Sequence, residues 1–127
     1  MKHIKIFETW QLKEIIIENL DGTGFSIYAS HDFDTWMNIL ENARSEGWYV
    51  PTKEQMMKIR EHAREHKDIP NRTYWTSEER DRSRAYGMNL YSNNKYFQFV
   101  DKSDMLCGLY VIRDLEEYEI SSMKYNL

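Results

Sequence analysis

The feature that most constrains this chain is a double change of hydrophobic period. Up to about residue 33 the apolar side chains come in short β-branched and aromatic runs, "EIIIENL" at 14–20 and "FSIYA" at 25–29. From Asp34 they recur at helical spacing, and after Lys67 they return to short runs with alternation. The order is therefore β, β, α, α and then several β. That distribution predicts an α+β domain with its helices grouped against an antiparallel sheet.

Local chemistry marks where each element begins and ends. Residues 4–7 and 14–20 read as strands, and Asp21-Gly-Thr-Gly24 supplies the positive-φ residues that a tight hairpin needs. Trp36, Ile39, Leu40 and Ala43 form one helical stripe, with Asp34 as its expected N-cap and Gly47 as its left-handed terminator. Thr52 and Gln55 form a capping box behind Pro51, and Met56, Ile59 and Ala63 are the stripe of a second helix. Beyond Lys67, Tyr86, Met88 and Leu90 alternate, Ser92-Asn-Asn-Lys95 reads as a turn, and "YFQFV" and "CGLYVIR" at 96–100 and 107–113 read as strands. Residues 114–127 form a polar tail in which Leu115, Tyr118 and Ile120 pack or make an edge strand.

At 127 residues the chain has the length of one domain that buries a core without staples. Seventeen basic against 21 acidic side chains leave a formal charge of -4, which argues against a nucleic-acid partner held by a global positive field. The single Cys107 forms no internal bridge, and the charged N-terminal stretch reads as neither a signal peptide nor a spanning helix. The expected setting is the cytoplasm of a bacterial or phage-infected cell, with no membrane partner and no cofactor.

A set of sequence words then appears in a definite order: Thr35-Trp36, Ala43, Trp48-Tyr-Val-Pro51-Thr52 with Glu54, Tyr74-Trp75-Thr76-Ser77, Ala85, Asn89-Leu90 and Leu109-Tyr-Val-Ile-Arg113. Over residues 28–113 this resembles the small bacterial and phage domains with the pattern T-W, W-R-L-P-T-x-x-E, Y-W-S-S, A, N-L/F and V-R. Those are the Lcl C-terminal and fibrobacter-type major-paralogue domains of the C-type-lectin-like and formylglycine-generating-enzyme superfamily. The resemblance implies a C-type-lectin-like domain, two helices packed on an antiparallel sheet with a loop-rich second half. Tyr49 stands where the family has Arg, and Thr76 precedes Ser77. Trp48 and Trp75, on either side of the second helix, read as buried core.

Enzyme chemistry is sparse. His62-Ala-Arg-Glu-His66 has the letters of an inverted zinc-peptidase motif, which would make His62 and His66 metal ligands and Glu65 the base of a zinc-dependent hydrolase. The helix around it carries Arg60, Arg64 and Lys67, and no third ligand has a supporting spacing, so an exposed amphipathic helix end is the simpler reading. Ile69-Pro70-Asn71 is similar to the E-P-N calcium loop of sugar-binding lectins but has Ile in place of the carboxylate. The oxidising relatives use cysteines, whereas Cys107 sits in an apolar run and reads as a small buried hydrophobe.

What remains is a surface. Arg80, Arg82, Arg84, Tyr91, Asn93, Asn94, Lys95 and Tyr96, with Tyr86 in the strand among them, give the Tyr/Asn/Arg mixture of adaptable recognition patches. Strand alternation turns part of that stretch inward, which leaves the loop tips as the candidate contacts. The expectation is a non-enzymatic module that binds a protein or a glycan, such as a host defence component. The alternatives are a virion or surface subunit, a homo-oligomer, and a binder of single-stranded nucleic acid, since Tyr and Arg interleave over 80–96.

Overall fold

The computed structural model describes residues 13–125, so the strand expected at 4–7 lies outside the described residues. The hairpin forms as the sequence predicts: β1 (Ile15–Glu18) pairs antiparallel with β2 (Gly24–Asp34), Ile15 opposite Ile27 and Glu18 opposite Gly24. Asp21 holds the turn by accepting from the Thr23 amide at 3.0 Å and from its hydroxyl at 2.6 Å. A Cβ at Gly24 would stand 2.2 Å from the Ile17 carbonyl oxygen, so only glycine permits β1 to approach there.

Helix α1 spans Trp36–Ser45, and its N-cap is Thr35, not the expected Asp34. Asp34 ends β2. Its carboxylate accepts from the Thr35 amide at 2.8 Å and from the Asn38 side-chain amide at 2.9 Å, so it braces the cap from one residue behind. Gly47 follows the helix at φ 75°, the left-handed conformation foreseen for it. Helix α2 spans Lys53–His66 with the Thr52/Gln55 capping box complete.

The second half supplies β3 (Thr73–Glu79), β4 (Arg84–Asn89), β5 (Gln98–Asp101) and β6 (Leu106–Leu115). The tail then forms a helix, α3 (Glu117–Tyr125), not an edge strand. Ile120 is buried, while Tyr118 points outward. The six strands lie in the order β1-β2-β6-β3-β4-β5. Every neighbouring pair is antiparallel except β3 and β6, which run parallel where Tyr74 meets Cys107, so the all-antiparallel sheet expected from sequence is corrected to a mixed one.

Side-chain alternation places two cores on opposite faces of this sheet. Leu109 and Val111 of β6 join Met56, Ile59 and Ala63 of α2, whereas Tyr110 between them joins Trp36, Ile39 and Ala43 of α1. Tyr74 and Trp75 of β3 divide in the same way. The helices are therefore not grouped on one face: α1 covers one side and α2 the other. Trp75 is fully buried, as expected, and Trp36 nearly so. Trp48 is half-buried at the rim, against Tyr28 and Tyr110, so its reading as interior core is corrected.

Candidate functional site

The β4–β5 pairing builds an aromatic face that outward strand residues alone do not reveal. Tyr86 stands opposite Phe99 in the ladder, and Phe97 lies two residues before Phe99, so the three rings share one side of the sheet. Tyr86 meets Phe99 at 5.6 Å between centroids and Phe97 at 6.2 Å, both edge-to-face. Phe99 is 53% exposed and Tyr96, next to Phe97, is 79% exposed.

Two cations lie over this face. Lys53 opens α2, where its amide donates to the Glu78 carboxylate at 2.8 Å, and its ammonium sits 4.0 Å from the Tyr86 centroid. The Arg80 guanidinium lies 4.6 Å from the Phe99 centroid. Among the described residues neither cation makes an ion pair. A cation over an exposed ring gains about 0.5–1 kcal/mol, enough to orient the side chain while its charge stays available. The face thus offers exposed π surface and two fixed positive charges, a combination suited to an apolar or aromatic side chain beside a carboxylate.

The eight residues singled out from the sequence are not gathered into one patch. Arg80 and Arg82 lie in the β3–β4 turn and Arg84 opens β4, whereas residues 91–96 form the loop at the other end of β4, about 20 Å away at about 3.3 Å per strand residue. Arg80 alone of the three arginines joins the aromatic face. Arg84 pairs with Asp81 at 2.7 Å, and its hydrogen bond holds the Asp81 carboxyl down at about 2. Arg82 is exposed, and its carbonyl accepts from Lys102 at 2.9 Å.

The 91–96 loop is tied to α2. Arg60 and Arg64 donate to the Ser92 carbonyl at 2.8 and 3.0 Å, and Arg64 reaches Asn93 at 3.5 Å. Asn94 caps the turn by accepting from the Tyr96 amide at 2.9 Å. Tyr91 is half-buried against the α2 core and its hydroxyl donates to the Ile69 carbonyl, which gives it a packing role. Lys95 is exposed. Lys53, Phe97 and Phe99 were not singled out in the sequence, because only the strand register and the position of the α2 cap bring them together.

Toward the C-terminal end of α2, His62 and His66 stack with centroids 4.3 Å apart, but each faces its own carboxylate. His62 Nε2 is 2.9 Å from Asp68, and His66 Nε2 is 3.3 Å from Glu65. Among the described residues no group of three or more His, Cys, Asp or Glu side chains is arranged to hold a metal ion. Cys107 is fully buried, burial pushes its thiol up, and its Sγ donates to the Ser30 carbonyl at 3.0 Å. No helix among the described residues is long and apolar enough to cross a membrane.

No protein-family model matches the chain, and no curated protein matches it. The resemblance drawn from the sequence words therefore stands on those words alone.

Proposed function

We propose that this chain is a non-enzymatic recognition domain of C-type-lectin-like organisation that captures a protein partner through the outer face of β4 and β5. One observation carries the reading: Tyr86 lies between Phe97 and Phe99 with Lys53 and Arg80 poised over the rings. Exposed aromatics joined to arginine are the composition of interface hot spots. The matching partner surface carries an aromatic or aliphatic anchor flanked by Asp or Glu. Single-stranded nucleic acid fits less well, because Glu78 and Glu79 border the face and the chain's charge of -4 repels a phosphate backbone.

The test is site-directed photo-crosslinking in the native cell with a benzophenone amino acid at Phe99, and at Met37 on α1 as the control. The expected result is a protein adduct from position 99 only, lost when Arg80→Glu is added. Adducts from position 37 alone, adducts insensitive to Arg80→Glu, or a glycan or nucleic-acid adduct would refute the reading.

A further inference from the structure

The charges of α2 are sorted by side. Glu54, Glu61 and Glu65 line a groove toward β1 and α3, and Glu65 is 3.3 Å from His66. Lys53, Arg60, Arg64 and Lys67 fall within about 60° of arc at about 100° per residue. That arc meets β4 and the 91–96 loop.

Arg60 is 8% exposed, its Nη2 donates to the Ser92 carbonyl at 2.8 Å, and its Nε has no acceptor among the described residues. Arg64 is exposed and donates from Nη1 to the same carbonyl at 3.0 Å and to the Tyr91 carbonyl at 3.2 Å. Bonded to one oxygen, the two terminal nitrogens lie within about 6 Å of each other. Lys67 holds its ammonium 5.9 Å from the Tyr91 centroid. Among the described residues none of these three cations makes an ion pair. Every acceptor the two arginines reach is a neutral oxygen.

Tying down the loop does not require this arrangement. One guanidinium on the Ser92 carbonyl would hold it, and a second brings a like charge against the first where one of them is buried. The negative end of the α2 dipole offsets only about half a charge. A buried N–H of an ionised group is normally bonded, to a water or an anion where the chain supplies no acceptor.

We infer that Arg60 and Arg64, flanked by Lys67, form an oxyanion site that takes a phosphoryl group between α2 and the 91–96 loop. Charge selects a phosphoryl group over a single carboxylate: it brings about −1.5 to −2 at neutral pH, with three acceptor oxygens, to two guanidinium groups. Its oxygens bridge the two nitrogens through charge-assisted bonds of about 2.7–2.9 Å. A free phosphate and a phosphorylated side chain of a protein both present this group. Arg80 and the aromatic rings of β4 and β5 take no part in it.

The test is NMR of the arginine Nε–Hε groups in the isotopically labelled full chain. Inorganic phosphate is titrated at a pH above its second ionisation near about 6, with sodium chloride holding the ionic strength constant. N-acetyl-phosphoserine methylamide and its serine parent are titrated in the same way. Saturable shifts of the Arg60 and Arg64 signals are expected from both phosphates and not from the serine compound. Tighter binding of the phosphoserine compound assigns the site to a protein-borne group, and tighter binding of inorganic phosphate assigns it to the free ion. Arg64→Gln, at an exposed position, should keep the fold and weaken phosphate binding at least about tenfold, the loss expected for a charge-assisted hydrogen bond. Arg82→Gln, in the β3–β4 turn, should change nothing. No saturable shift, a shift that the serine compound or chloride reproduces, or undiminished affinity in Arg64→Gln would overturn the proposal and leave a buried water as the acceptor of Arg60. Arg80→Glu should leave the phosphate titration unchanged while it abolishes the position-99 crosslink, so failure here is distinct from failure of the β4–β5 reading.

Discussion

The Trp75 indole N–H donates to the Asp34 carbonyl at 2.9 Å, and the Trp36 indole N–H returns the contact by donating to the Thr76 carbonyl at 2.8 Å. Each tryptophan thus binds the backbone one or two residues from the other. The crossed pair locks the β2–α1 junction to β3 beneath α1. Both rings are buried, so each indole N–H, a donor that would be costly to leave unpaired in the interior, is satisfied by a backbone carbonyl.

Truncating this clasp is expected to be severe. Trp75→Ala should lower the unfolding free energy by about 3–5 kcal/mol, the range for large aromatic truncations in cores. Trp75→Phe keeps most of the apolar area but removes the hydrogen bond to the Asp34 carbonyl, at a cost of about 0.5–1.5 kcal/mol. Half-buried Trp48 should lose only about 1–2 kcal/mol on change to Ala, since less of its surface leaves water on folding. Urea denaturation of the three variants checks the order, and equal losses at positions 48 and 75 would contradict it.

What the sequence disclosed depended on the range of the interaction. The capping box of Thr52 and Gln55, the Asp21 turn and the Gly47 terminator act over five residues or fewer, and all three are where the sequence puts them. β3 was hidden because Tyr74, Trp75 and Thr76 are consecutively buried: with helices on both faces a central strand loses the alternation that identifies it. In the tail Leu115 and Ile120 pack as expected, but with Tyr118 they are too few to distinguish a short helix from a strand. The candidate site was legible only at Arg80, Tyr86 and Tyr96. Tyr86 meets Phe99 through a strand register that no local pattern encodes, and Lys53 reaches them because α2 starts there.

The β3–β4 turn should respond to acid at a defined point. The Arg84 hydrogen bond lowers the Asp81 carboxyl from the ordinary 3.8 to about 2. A group depressed in the folded state stabilises that state fully above its unfolded value. The contribution fades as pH falls from near 3.8 and is gone below about 2. Amide exchange at Ser83 and Arg84, whose N–H groups donate to Asp81, should therefore accelerate across this window relative to the rest of the sheet. Asp81→Asn should show the faster exchange already at neutral pH. Exchange at these two amides that follows the strands at every pH would count against the assignment.

Cys107 should be chemically silent in the folded chain. It is fully enclosed, burial raises its thiol, and the sulfur is occupied at the Ser30 carbonyl, so the thiolate that reacts with alkylating agents is both scarce and unreachable. Labelling by iodoacetamide at neutral pH should be slower than in urea by about three orders of magnitude or more, following the small unfolded fraction. Rapid labelling in native buffer would mean that the β2–β6 seam opens locally.

Tyr91 distinguishes a packing role from a contact role. Its ring lies half-buried against the α2 core and its hydroxyl donates to the Ile69 carbonyl, at the point where the chain leaves α2. Tyr91→Phe keeps the ring and leaves that carbonyl without its donor, so the expected loss is about 1 kcal/mol. Arg82 and Lys95 are exposed and make no side-chain bond among the described residues, so Ala at either should change stability by no more than about 0.5 kcal/mol. Thermal and urea unfolding of the three variants gives the comparison. If Tyr91→Phe unfolds like the parent chain yet abolishes the position-99 crosslink, the residue belongs to the recognition surface and the hydroxyl tether is incidental to stability.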